Sequence, residues 1–147
     1  MSDTTEWTVA PWTVRHDVPA LDHDKMMAER FGSEISPRMR IERRVVFNLC
    51  EYLLANGFEL LQVYDGDEFT KVKTSKEAME LIFNLDEASL RVRKAGRRPD
   101  GKRWPEHGIL IVLGNDGWDA VADYNYSRDD ADHFNAIMEV FDGEACV

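Results

Sequence analysis

The stretch 58–77, FELLQVYDGDEFTKVKTSKE, decides the fold. Phe58 to Tyr64 and Glu68 to Lys73 read as two short strands, and the Asp65-Gly66 pair between them supplies the positive φ that a tight hairpin needs. Thr74-Ser75-Lys76-Glu77 follows at once as a capping box, so a helix is predicted from Ser75 to about Leu85, with Ala78, Leu81, Ile82 and Leu85 turned inward. Short hairpins make the sheet mainly antiparallel, and helices with one apolar stripe must bury it on a single sheet face. The predicted fold is therefore α+β, a two-layer sandwich with a sheet of four to five strands.

Working upstream, Ser36-Pro37 opens the strongest helical pattern, with Ser36 as N-cap and Pro37 where its missing N–H costs nothing, and Gly57 closes it. Ile41, Val45, Leu49, Tyr52 and Leu53 keep helical spacing, while Val46, Phe47, Cys50 and Leu54 are apolar on the other side, so this helix is covered on two faces. Ala20 to Phe31 reads as a shorter helix using Leu21, Met26, Met27 and Phe31, ended by Gly32. Residues 1–19 are polar and broken by Pro11 and Pro19; they read as an N-terminal arm, with Trp7 and Trp12 unexplained, ahead of one domain spanning 20–147.

Downstream, Ala88 to Lys94 alternates Leu90 and Val92 with Arg91 and Arg93, the period of a half-buried strand with a basic outer face. Ile109 to Leu113 and Trp118 to Tyr124 flank the turn Gly114-Asn115-Asp116-Gly117 and are expected at the centre of the sheet. Ser127 caps a last helix whose first turn holds Asp129 and Asp130, with Ala131, Phe134, Ile137, Met138 and Phe141 inward.

At 147 residues the chain fits one domain, and 44% hydrophobic with 31% charged residues is a globular composition. Its charge is sorted along the sequence. From Gly108 to Val147 stand nine acids against Arg128 alone, whereas Leu90 to His107 carries seven bases against Asp100 and Glu106. With 18 bases and 28 acids overall, the net charge of −10 argues against direct binding of nucleic acid or an anionic membrane and favours basic partners. Cys50 and Cys146 form no disulfide framework: Cys50 reads as a small core residue and Cys146 as part of a frayed tail, which fits a reducing, cytoplasmic setting. No signal-peptide pattern and no apolar run of transmembrane length is present in the sequence.

Two chemical constellations merit weighing. Asp119 and Asp123, four apart on a predicted strand with Val121 between them, would share a face and approach Asp129, Asp130 and His133 at the next helix start, an acid–base or hard-metal arrangement. Capping and solvation explain the same five residues, so no catalytic residue, metal or cofactor is expected. In the basic segment, Arg91, Arg93 and the loop from Arg97 to Arg103 lead to Trp104, a potential base-stacking platform, against the simpler reading that these bases neutralise their acidic neighbours. The acidic half offers the better binding surface: Asp116, Trp118, Asp119, Asp123, Tyr124, Tyr126, Asp129 and Asp130 combine carboxylates with large amphipathic rings.

The run Ile111-Val112-Leu113-Gly114-Asn115-Asp116-Gly117-Trp118-Asp119-Ala120-Val121-Ala122-Asp123-Tyr124, with Asn84-Leu85-Asp86-Glu87-Ala88 before a strand, resembles segments of small proteins of phages and other mobile elements. Small acidic proteins of that kind often inhibit host defence, some by imitating the charge of DNA. The resemblance thus implies a non-enzymatic inhibitor, anti-CRISPR or anti-restriction, that occupies the basic nucleic-acid-binding surface of a host protein or complex. A small metal-dependent or hydrolytic enzyme, and a self-assembling phage accessory protein, are the alternatives.

Overall fold

The computed structural model describes residues 8–32, 35–125 and 131–147. The elements are α1 (Asp22–Phe31), α2 (Pro37–Ala55), β1 (Phe58–Tyr64), β2 (Phe69–Lys71), α3 (Ser75–Ile82), β3 (Glu87–Lys94), β4 (Glu106–Val112), β5 (Val121–Asn125), α4 (Ala131–Val140) and a closing 3₁₀ turn, Gly143–Cys146. The five strands form one antiparallel sheet in the order β2-β1-β3-β4-β5. This is the α+β fold that the sequence predicts, with β3 at the centre. β5 is an edge strand, against the expectation that it lies centrally, because no further strand among the described residues pairs with it.

Register explains the two faces. Leu60, Val92 and His107 stand opposite one another, as do Val63, Leu90 and Ile109, and Ala88 opposes Ile111. All eight are buried, and they meet Val46, Leu49, Cys50 and Leu53 of α2, Ala78, Met79 and Ile82 of α3, and Phe134 and Ile137 of α4 in one core. The alternate residues, including Gln62, Tyr64, Ser89, Arg91, Arg93 and Leu110, make the opposite face, where Phe69 and Leu110 are exposed.

Helix ends follow their sequence signals. The Ser36 side chain accepts from the Met39 N–H with Pro37 in the first turn, and Thr74 and Glu77 form the reciprocal capping box. α3 stops at Ile82, and β2 is shorter than Glu68 to Lys73. The cap predicted for α4, Ser127 with Asp129 and Asp130, lies outside the described residues, as do Trp7, Arg128 and Tyr126.

Three expectations are overturned. First, α1 forms as predicted and ends on Gly32 in the left-handed conformation, but no residue of it is buried; Met26 and Phe31 are exposed. The helix is held by polar contacts, its leading N–H groups at Asp22 and His23 donating to Glu80 of α3 at 2.7 and 3.1 Å. Second, residues 8–19 are no free arm. They lie along α2 as a strap: Asn48, Tyr52 and Asn56, spaced one helical turn apart, bond the strap's backbone. The Asn48 Oδ1 accepts from the Arg15 N–H at 2.6 Å and its amide donates to the Arg15 carbonyl; the Tyr52 hydroxyl donates to the Ala10 carbonyl at 2.6 Å, and Asn56 Oδ1 accepts from the Ala10 N–H at 2.7 Å. Trp12 packs edge-on against Tyr52 and Phe141. Third, Cys146 is buried, its thiol directed to the Asp142 carbonyl.

Candidate functional site

The β4–β5 hairpin is fixed by two contacts from outside the sheet. Glu42, buried on α2, accepts from the Gly114 N–H at 2.7 Å. Gly143 presses so closely on the carbonyl of Trp118 that a Cβ there would stand 2.3 Å from the oxygen, which requires glycine at this position. The closing 3₁₀ turn is thereby clamped against the hairpin.

Between β5 and that turn lies a cleft of about 230 Å³ lined by Trp118, Asp123, Tyr124, Met138, Phe141 and Asp142. Trp118 is 42% exposed, whereas Tyr124 is half-buried with its ring edge-on to Phe134. Of the residues expected to bind a partner, Trp118, Asp123 and Tyr124 are brought together. Asp116 is exposed on the turn beside them. Asp119 precedes β5, and its carboxylate folds back to accept from the Gly117 N–H at 3.2 Å. A register shift then places Val121 opposite Ile111 and Asp123 opposite Leu110. Asp119 and Asp123 therefore do not share a strand face, as the alternating pattern had suggested. Tyr126, Asp129 and Asp130 lie outside the described residues. Sequence reading missed Asp142 as a member of this cleft, because only the Gly143 contact brings it to β5.

Asp116, Asp119, Asp123, Asp132, Glu139, Asp142 and Glu144 form no ion pair with a described residue. Elsewhere some acids are matched, Asp17 and Glu51 with Arg15, Asp24 with Arg43, Asp22 with Lys76, and Glu59 with Arg93, while others, among them Asp65, Asp67, Glu68, Asp86 and Glu87, likewise form no ion pair with a described residue. Unpaired carboxylates in one region create a negative potential that paired ones do not.

The basic segment is knitted into its own neighbourhood. Arg93 pairs with Glu59 at 3.3 Å, Arg98 with Asp100 at 3.5 Å, and Arg97 donates to the Gly101 carbonyl at 3.0 Å. Arg91 lies over the Phe69 ring. Trp104, considered above as a stacking platform, is 9% exposed, with Lys94 and Arg98 over its ring.

The groups considered for catalysis lie apart or buried. Cys50 is fully buried, and burial pushes its thiol up to about 12, the opposite of an activated thiolate. His133 is buried edge-on to Phe58, its pKa lowered first by burial and then by the charge of Lys94, against a hydrogen bond with the Thr8 backbone. Among the described residues no three His, Cys, Asp or Glu side chains are grouped to hold a metal ion, and no helix is long and apolar enough to cross a membrane. Compared with protein-family models, curated proteins and solved structures, the chain matches none.

Proposed function

We propose that this is a non-enzymatic binding protein whose acidic end engages the basic, nucleic-acid-binding surface of a partner protein. One observation carries the reading: Trp118, Asp123, Tyr124 and Asp142 surround a single cleft at an edge strand, within a region whose carboxylates have no ion-pair partner among the described residues. The carboxylates stand in for phosphates and draw the partner in, and the rings give contact area that loses water on binding. The cleft is small, which suits an anchor side chain of the partner better than a whole small-molecule substrate. The resemblance to mobile-element proteins supplies the class of partner, a CRISPR or restriction complex of the host.

The test is capture followed by competition. Full-length protein retains a partner from a bacterial lysate at low salt and releases it at high salt, and the captured partner loses affinity for duplex DNA when the protein is added. The variant Trp118→Ala/Asp123→Asn/Asp142→Asn captures little and competes little. Equal capture by the variant, or a partner that binds DNA undiminished, refutes the proposal.

A further inference from the structure

A second concave site lies far along the sequence from the acidic cleft, and its charge is inverted. α1 buries none of its residues yet is held at its start, by Glu80 on its leading N–H groups and by Asp24, which accepts from Arg43 Nη2 at 2.7 Å and Nε at 3.1 Å. Arg43 is itself buried, its guanidinium 3.9 Å from the Phe83 ring centroid. Propped in this way, α1 roofs a cleft of about 490 Å³ between itself, the end of the strap and the first half of α2, within the size range of small-molecule sites.

The lining has two characters. Val18, Leu21, Ala28 and Ile35 give it an apolar part; Lys25 and Arg44, with His16 beside Arg44, give it a cationic one. Among the described residues that line it the only carboxylate is Asp24, already engaged by Arg43. Of the nearby acids, Asp17 pairs with Arg15 and Asp22 with Lys76. In a chain of net charge −10, a cleft with a surplus of cations and an apolar lining is complementary to an anion that carries an apolar body.

We propose that this cleft binds a small amphipathic carboxylate. Its head group meets the side of the cleft formed by Lys25 and Arg44, where the planar guanidinium matches a carboxylate. Its apolar body lies along Val18, Leu21, Ala28 and Ile35, burying surface that the unfilled cleft leaves wet. Arg43 acts as a positioning residue, because it fixes α1 through Asp24.

Decanoate, kept below its micelle concentration, is the probe, titrated into the full chain by calorimetry with decanol and decyl phosphate as comparison arms. Decanoate is expected to bind one to one, at least about tenfold more tightly than decanol, and Lys25→Gln/Arg44→Gln is expected to weaken it by about tenfold or more. Lys71→Gln/Arg91→Gln removes the same charge from the open sheet face and leaves the affinity unchanged. Amide chemical-shift changes on the unaltered protein should centre on residues 16–28 and 35–44, and Ala28→Trp should abolish them by filling the cleft. Absence of saturable decanoate binding, equal affinity for decanol, shifts centred elsewhere, or equal losses in both double variants overturns the proposal. Tighter binding of decyl phosphate than of decanoate overturns the carboxylate assignment.

Discussion

At the scale of single residues, His107 shows how the fold sets a pH dependence. It occupies a core position of β4, wholly buried, its ring parallel to Phe134 at 4.2 Å, and neither ring nitrogen has a hydrogen-bond partner among the described residues. Burial without a partner penalises the imidazolium and pushes the pKa down to about 4 from an ordinary 6.5. The folded state therefore holds His107 neutral while the unfolded chain takes up a proton more readily. Its contribution is complete above about pH 6.5 and is lost as the pH falls towards 4, a total of about 3 kcal/mol. His133, also shifted down, acts with the same sign. His107→Leu should flatten the decline in stability between pH 6.5 and 4, measured as urea midpoints, leaving the slope due to His133 and the carboxylates. Parallel curves for the two proteins would show that His107 is not the group responsible.

At the scale of elements, the strap makes the sharpest prediction. Asn48 is buried and spends both ends of its amide on Arg15, so Asn48→Ala leaves the strap's Arg15 N–H and carbonyl without that partner and should cost about 2 kcal/mol in chemical denaturation. Truncation of residues 1–11 removes the Ala10 contacts of Tyr52 and Asn56 and should lower the melting temperature by several degrees. An unchanged melting temperature would mean that the strap adds no stability. Legibility of the sequence divides along the same line. Local signals were readable: the Ser36-Pro37 start, the Thr74 to Glu77 box, the Asp65-Gly66 turn and the alternation of β3 each act within a few residues. What was not readable depends on distant partners. Periodicity alone assigns an apolar stripe of α1 to the core, but Glu80 and Arg43 hold that helix at the surface. The strap left one clue, the polar residues Asn48, Tyr52 and Asn56 at four-residue spacing within an otherwise apolar helix. Trp118 and Asp123 were named from composition as candidates and line the cleft, whereas Asp142 joins them only through the Gly143 contact, which no local pattern encodes.

At the scale of the whole molecule, what distinguishes the surface is which charges are already spent. Arg91, Arg93, Arg97 and Arg98 of the basic segment have an acid, a carbonyl or a ring beside them, while the carboxylates around β5 and the closing turn lack cations among the described residues. Long-range steering follows the charge left unpaired, since a close pair looks nearly neutral beyond a Debye length of about 8 Å at physiological salt. Replacing Asp116, Asp119, Asp123 and Asp142 by Asn moves the net charge from −10 to −6 and removes the unpaired carboxylates on and beside the cleft, leaving Asp132, Glu139 and Glu144. For a basic partner captured as described above, this should slow association by about tenfold at low salt, with a smaller change in dissociation and a flatter dependence on ionic strength. Replacing Arg91, Arg93, Arg97 and Arg98 by Gln moves the net charge from −10 to −14, and association with that partner should be unchanged or faster. Stopped-flow rates across a salt series separate the outcomes. If the arginine variant instead loses the partner while the acid variant keeps its association rate, binding runs through the open face around β3, and the acidic end is not the docking surface.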